Sequence, residues 1–202
     1  FIYGTPINDI LIGGDGIDTY QPFGRSDRFT IEATTDGFSL SDREGLLGVD
    51  QLRTIERIQF YDNSLALDTD GRASAGAGYR LYKAAFDRTP DDTGMGYWIS
   101  VLDAGTSLND IANAFIISDE FTSLYGADPD TEAFVTALYN NVLDRDPDAG
   151  GLNYWQGLID DGTLSRAEVL ANFSESAENI ANTDPLIELG VVYQPYGDGL
   201  AG

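Results

Sequence analysis

Apolar residues along this chain keep two rhythms, and the change comes near residue 74. Upstream they alternate with polar residues, the period of a strand with one buried face. Downstream they recur every three or four residues, the period of an amphipathic helix. Phe29-Thr30-Ile31-Glu32 and Phe38-Ser39-Leu40-Ser41 alternate, with Asp36-Gly37 just before the second run. This predicts a β-hairpin with a turn of several residues. Asp42 to Gly48 is polar and contains glycine, and it reads as a loop. Val49, Leu52 and Ile55 are spaced like one face of a short helix or turn. Ile58, Phe60, Leu65 and Leu67 alternate about Asp62-Asn63-Ser64, predicting a second hairpin. Gly71 to Gly78, rich in Ala, Gly and Ser, marks the boundary with the helical part.

Beyond it, Tyr79, Leu81, Tyr82, Ala85 and Phe86 keep helical spacing. Pro90 cannot continue that helix, and it pushes Thr89 out of the α region. Asp91 or Asp92 can cap the next helix, with Met95, Trp98, Ile99 and Leu102 inward and Gly105 at its end. Ser107 caps a third helix with Leu108, Ile111, Ala112 and Phe115 inward, and Ser118-Asp119-Glu120-Phe121 opens a fourth that stops near Gly126. The plan then repeats. Asp130 caps a helix carrying Phe134, Leu138, Val142 and Leu143, and Pro147-Asp148 break and restart it. Trp155, Leu158 and Ile159 face inward as far as Gly162, Ser165 caps Ala167 to Phe173, and Ser176 to Asn179 matches Ser118 to Phe121.

One motif is therefore written twice, as Tyr82 to Asp91 and as Tyr139 to Asp148. Both the tyrosines and the chain's two tryptophans, Trp98 and Trp155, lie 57 residues apart (139 − 82 and 155 − 98). Later matches are 58 apart (173 − 115), which places one inserted residue near Gly162. A duplication in register, with caps and breakers at the same places, is the signature of a structural repeat. Asp87-Arg88 and Asp144-Arg145 fit either a ligand loop or an internal brace, Arg88 to Glu120 and Arg145 to Glu178. The brace is favoured, because bidentate Arg–carboxylate pairs fix helix ends well. The tryptophans fit either core packing or sugar-stacking platforms, and their apolar helical register favours core.

The glycine-rich start holds the candidate chemistry. Gly4-Thr5-Pro6-Ile7-Asn8-Asp9-Ile10-Leu11-Ile12 runs straight into Gly13-Gly14-Asp15-Gly16-Ile17-Asp18-Thr19-Tyr20-Gln21. Both carry Asp at the sixth place and a large apolar residue at the eighth. Glycines permit a turn with positive φ, Asp supplies the hard oxygen that Ca²⁺ prefers, and the apolar residue fills a coil from a very short strand. An EF-hand through Asp68-Thr69-Asp70-Gly71 fails, because Ala66 and Ala77 stand where its first and last carboxylates belong. A lesser calcium site or a simple helix-entry turn remains there, and the turn is the better reading.

The two nonapeptides resemble the RTX family, the calcium-dependent repeats of bacterial proteins exported by type I secretion. That resemblance implies calcium between loops on one side of successive coils. The implied ligands are the side chains of Asp9 and Asp18, with carbonyls near Gly14 and Gly16, and Asp15 as a weaker candidate. Gly48 to Asp62 looks like the segment that closes RTX regions, a β cap over the open end of the coil. The duplicated region, residues 74–182, resembles the bacterial family called domain of unknown function 4214, found in secreted, RTX-containing and surface-layer-like proteins. A fainter likeness to phycobilisome linker domains is one of fold alone. No catalytic residue is carried over from any of these.

Composition narrows the function. The 202 residues carry 34 acidic and 11 basic side chains, a net charge of −23, and neither Cys nor His. Nucleic-acid and anionic-membrane binding are disfavoured, since both need Lys and Arg. Disulfides, thiol nucleophiles, Ser-His-Asp triads and ordinary zinc sites are excluded. No apolar run approaches a membrane span. The chain begins with Phe and reads as a segment of something longer, so a missing signal peptide says little. The expected fold is segregated α+β: residues 1–22 as RTX-like nonapeptides, 23–70 as a small β cap, 74–182 as an all-α domain of two helical repeats, and 183–202 as a tail. That apolar tail is expected to pack on the helices or the β cap, or to meet a neighbouring copy. The expected function is a non-catalytic, calcium-stabilised binding or assembly module of a secreted or cell-surface protein, adhesin or surface-layer-like. Its partner would be a protein, by self-association or at the cell surface. The alternatives are a carbohydrate-binding module and a carboxylate-based glycosidase accessory domain.

Overall fold

The computed structural model describes residues 1–197, and its elements separate as the two rhythms predict. Strands β1 (Ile10–Ile12), β2 (Thr19–Tyr20), β3 (Phe29–Thr34), β4 (Gly37–Asp42), β5 (Val49–Arg53), β6 (Arg57–Gln59) and β7 (Ser64–Ala66) come first. Helices α1 (Ala75–Phe86), α2 (Asp92–Asp103), α3 (Leu108–Ile116), α4 (Asp119–Tyr125), α5 (Thr131–Leu143), α6 (Ala149–Asp160), α7 (Arg166–Ser174) and α8 (Ala177–Ile187) follow, and β8 (Val191–Tyr193) ends the series. This is the segregated α+β arrangement.

Two four-stranded sheets form, in the orders β1-β5-β4-β3 and β2-β6-β7-β8. β1 pairs with β5 in parallel, and so does β2 with β6, whereas every other named pairing is antiparallel. The chain thus visits the first sheet and then the second, makes the β3–β4 hairpin, and visits both again in the same order. That is one coil followed by its successor. Val49 to Arg53 is a strand, not the short helix or turn that the spacing of Val49, Leu52 and Ile55 suggested. Asp50 and Leu52 are the buried alternate positions. A carboxylate at one of them hides the alternation. The first hairpin also turns more tightly than expected, with Thr34 opposite Gly37 and only Thr35-Asp36 between.

The second sheet is covered on both faces. On one side Ile58 and Leu65 join Tyr20, Phe29, Leu40, Leu52, Ile55, Phe60 and Leu67 in a core between the sheets. On the other side Ala66, Val191 and Tyr193 pack with Ala75, Tyr79, Met95, Ile99 and Ile187 of the helices. The apolar tail therefore serves both halves. β8 pairs with β7, and the Gln194 amide donates to the Asp92 carbonyl at 2.9 Å. Gly96 is required at that crossing, because a Cβ there would sit 1.7 Å from the Gln194 carbonyl oxygen. The tail begins later than the repeat suggested. α8 continues through Pro185 to Ile187, whose buried side chain anchors the last turn. Residues 198–202 of the expected tail lie outside the described residues.

The helices follow the caps written in the sequence. Ser74, Asp91, Ser107, Ser118, Asp130, Asp148, Ser165 and Ser176 each accept a backbone N–H three residues on. α1 and α5 end on Asp87 and Asp144 in the left-handed region, at φ 48° and 52°. There Arg88 donates from Nε to Glu120 at 2.7 Å and Arg145 does so to Glu178 at 2.7 Å, the two braces expected. Each guanidinium also lies 4.9 Å from a tyrosine ring centre, Tyr82 or Tyr139. The tryptophans are half-buried at the core's rim. Trp98 meets Phe115 edge-on at 4.7 Å, and Trp155 lies 5.1 Å from Phe173. α2 buries Met95, Gly96 and Ile99, but α6 has no fully buried residue, so Trp155, Leu158 and Ile159 face inward only in part. The reason is chemical. Residues 57 later than Gly96 and Ile99 are Asn153 and Gln156, polar where the first unit is covered by β8.

Arg80 holds these parts together. Its guanidinium, 2% exposed, donates to both oxygens of Glu175, at 2.7 and 3.0 Å, and to the Thr69 carbonyl at 3.0 Å. Removing one partner of a buried pair strands the other charge. Arg80→Leu should lower unfolding stability by about 3–5 kcal/mol in urea denaturation. Arg88→Leu, at an exposed brace, should lower it by about 1 kcal/mol or less.

Candidate functional site

An acid, a variable residue and a large apolar residue recur as Asp9-Ile10-Leu11, Asp18-Thr19-Tyr20, Asp50-Gln51-Leu52 and Glu56-Arg57-Ile58. The apolar members turn into the core between the sheets. The parallel register then stacks the acids. Ile10 lies opposite Gln51, so Asp9 sits beside Asp50, and Thr19 lies opposite Arg57, so Asp18 sits beside Glu56. Asp50, Glu56 and Tyr20 are the site residues that the sequence reading missed. Their signal was this three-residue pattern, since the glycines of the nonapeptides are absent from the second coil.

The stack is sewn by the acids' own backbones. The Gln51 amide donates to the Asp9 carbonyl at 2.8 Å, and the Asp9 amide donates to the Asp50 carboxylate at 3.1 Å. At the other turn, the Asp18 amide donates to the Glu56 carboxylate at 2.8 Å, and the Asp18 carbonyl accepts from the Glu56 and Arg57 amides. Asp9 also accepts from the Thr5 amide and hydroxyl. The buried Tyr20 hydroxyl donates to Asp50. Gly4 permits this meeting. A Cβ there would lie 2.9 Å from the Tyr20 hydroxyl, 3.2 Å from Asp9 Oδ2 and 3.4 Å from Asp50 Oδ2. Burial, with the Asp9 charge adding to it, pushes the Asp50 carboxyl above the usual range, although Tyr20 and the Asp9 amide draw it back. Burial and the bond to Asp50 push the Tyr20 hydroxyl up.

The residues expected to hold calcium do not meet at one point. Asp9 stands before β1, and Gly14, Asp15, Gly16 and Asp18 lie in or close the turn after it. Gly14 and Gly16 take positive φ, 122° and 100°, as expected of this turn, and they face open space. Among the described residues, no three His, Cys, Asp or Glu side chains come together as a metal group. Calcium takes 6–8 oxygen ligands. Each stacked turn here brings two carboxylates, and Asp9, Asp50 and Glu56 already accept protein N–H or O–H donors. Between these two coils the carboxylates alone therefore fall short of the ion's ligand number.

Asp42 fixes the loop that delivers β5 back to the stack. Its carboxylate takes two bonds from Arg28, both 2.8 Å, and the amides of Glu44, Leu46 and Leu47. The Arg28 bond first, then those amides, hold the carboxyl well below the usual carboxylate range. Asp68 belongs to helix entry, not to an EF-hand. It accepts from the Ala75 amide and pairs with Arg57, which also reaches Asp103 at 2.7 Å.

One family model, domain of unknown function (DUF4214), matches residues 79–116 and residues 112–183, the helical repeat. No curated protein and no solved structure matches the chain.

The two perturbed carboxyls give opposite pH slopes. Asp42 has a lowered folded pKa, so its stabilisation is complete above about pH 4 and is lost as pH falls further. Asp50 has a raised one, so its contribution is greatest at low pH and declines as pH rises past the ordinary carboxylate range. In thermal unfolding followed by circular dichroism, Asp42→Asn should melt below the parent at neutral pH, with the gap narrowing below about pH 4. Asp50→Asn should gain on the parent as pH rises from about 4 to 7.

Proposed function

The chain belongs to the DUF4214 family, and from that premise we propose that it is a non-catalytic assembly module that closes one end of a stack of parallel β coils. The observation carrying this is the parallel pairing of β1 with β5 and of β2 with β6, which makes the two visits to the sheets successive turns of one coil. On the far side the parallel coil gives way to antiparallel β4 and β3 in one sheet and β7 and β8 in the other. Among the described residues the near side is open: β1 pairs with β5 on one edge only, and the parallel bridge of Ile2 to Tyr20 begins another turn. Exposed Ile10, Ile12 and Ile17 stand along it. Unpaired edges of this kind invite strand addition. The partner is accordingly a protein segment of the same coil type, from the same polypeptide or from another copy.

The helical repeat fits a rigid body carried by that cap. Its duplicated Asp-Arg loops are spent on Arg88–Glu120 and Arg145–Glu178 pairs, which supports a structural role for them over a ligand loop. A secreted or cell-surface setting is part of the same reading, supported by the nonapeptides, the net charge of −23 and a fold that needs no cysteine.

The Gln51 amide bonds to Asp9, and the Gly13 amide bonds to Arg53. Bonding alternates along a strand, so residues 10 and 12 direct their backbone groups to the free edge. A synthetic peptide of residues 1–22 should slow amide exchange at Ile10 and Ile12 of the intact chain, saturably. Ile12→Pro, which removes an edge donor and no bond to β5, should abolish that protection. Equal exchange with and without excess peptide would overturn the reading.

A further inference from the structure

The first coil, residues 1–20, is joined to its successor, residues 49–59, by protein hydrogen bonds, and we infer that these donors do the work that its nonapeptide pattern assigns to calcium. The inference stands on the coil's own bonds and not on the assembly reading. Three observations carry it.

First, three of the four stacked acids are already served. Asp9 accepts from the Thr5 amide and hydroxyl, Asp50 from the Asp9 amide and the Tyr20 hydroxyl, and Glu56 from the Asp18 amide. A cation would have to share these oxygens with donors that already orient them. Second, the second coil lacks the turn that would offer carbonyls. Six residues, Gly13 to Asp18, separate β1 from β2, but only Thr54, Ile55 and Glu56 separate β5 from β6. Thr54 takes φ 47° where a glycine would be expected, and it binds the opposing turn directly. Its hydroxyl accepts from the Gly14 amide at 3.1 Å, and the Arg53 carbonyl accepts from the Gly13 amide at 3.1 Å. Third, Tyr20 fills an inward position that any large apolar side chain could fill, yet its buried hydroxyl ends on Asp50 beside Asp9. A neutral donor there ties down one of two neighbouring carboxylates, a task that a divalent ion performs by charge.

Thermal unfolding of the full chain at fixed ionic strength tests this, with millimolar calcium chloride, magnesium chloride or chelator. The expected midpoints agree within about 1 °C, because an ion that binds only the folded state would raise its midpoint by several degrees once in excess of Kd. Tyr20→Phe should lower the midpoint by about 5 °C or more in all three conditions, since it leaves a buried carboxylate short of a donor. If Tyr20→Phe does not fold, Thr5→Val, at an exposed position, takes its place with a smaller fall in the same direction. A saturable rise with calcium and not with magnesium would overturn the inference. An unchanged midpoint in a folded Tyr20→Phe would also overturn it, because the hydroxyl would then not be the fastener. The peptide experiment on the open edge reads a different surface, so either result can fail alone.

Discussion

The second sheet must be buried on both faces, and most of the molecule answers to that requirement. Its inner face closes on the first sheet, and its outer face closes on α1, α2 and the end of α8. Neither half of the chain finishes this sheet alone, since β7 comes from the strand-rich half and β8 from beyond the last helix. Polar groups caught in the junction need partners at short range. Arg57, 2% exposed, reaches Asp68, Asp103 and the Glu56 carbonyl, and Arg80 reaches Glu175 and Thr69. Such buried pairs contribute little net stability when intact, but they fix which surfaces meet. Among the described residues, only Arg57 Nε and Ser64 Oγ are fully buried side-chain nitrogen or oxygen atoms without a partner, and both belong to this sheet.

The excess of acid looks different once placed. Asp91, Asp130 and Asp148 start helices, where a carboxylate meets free amides and the positive end of the helix dipole. Glu120, Glu175 and Glu178 answer arginines, and Asp42 gathers a loop. Asp9, Asp18, Asp50 and Glu56 register two coils against each other. A charge of −23 therefore includes many carboxylates engaged inside the fold, and its count alone says little about cations in solution.

Duplication and divergence are both visible in the helices. Caps, left-handed aspartates and Arg–Glu braces recur in each unit because they depend on residues close in sequence or within one unit. The outer helices diverge because their neighbours differ. Tyr97 is met by Tyr196 at 4.9 Å and Gly96 by the Gln194 carbonyl, whereas Tyr154 is 60% exposed beside polar Asn153 and Gln156. In the first unit α2 has become a seat for β8, whereas its counterpart α6 in the second unit has no fully buried residue.

Local chemistry was legible in the sequence. The period change near residue 74, the expected Ser and Asp caps, the Pro breaks, both hairpins and both braces follow from interactions spanning a few residues or one repeat. The calcium pattern was legible as a pattern only, because it specifies one turn and not what stacks on it. What tertiary structure decided was pairing at long range. Residue 50 lands beside residue 9, the hydroxyl of Tyr20 reaches Asp50, and residues 191–193 complete a sheet begun at residue 19. A strand of three residues carries too little periodicity to name its partner. The partner is chosen by which buried faces remain to be covered, and that is settled only when the whole chain has packed.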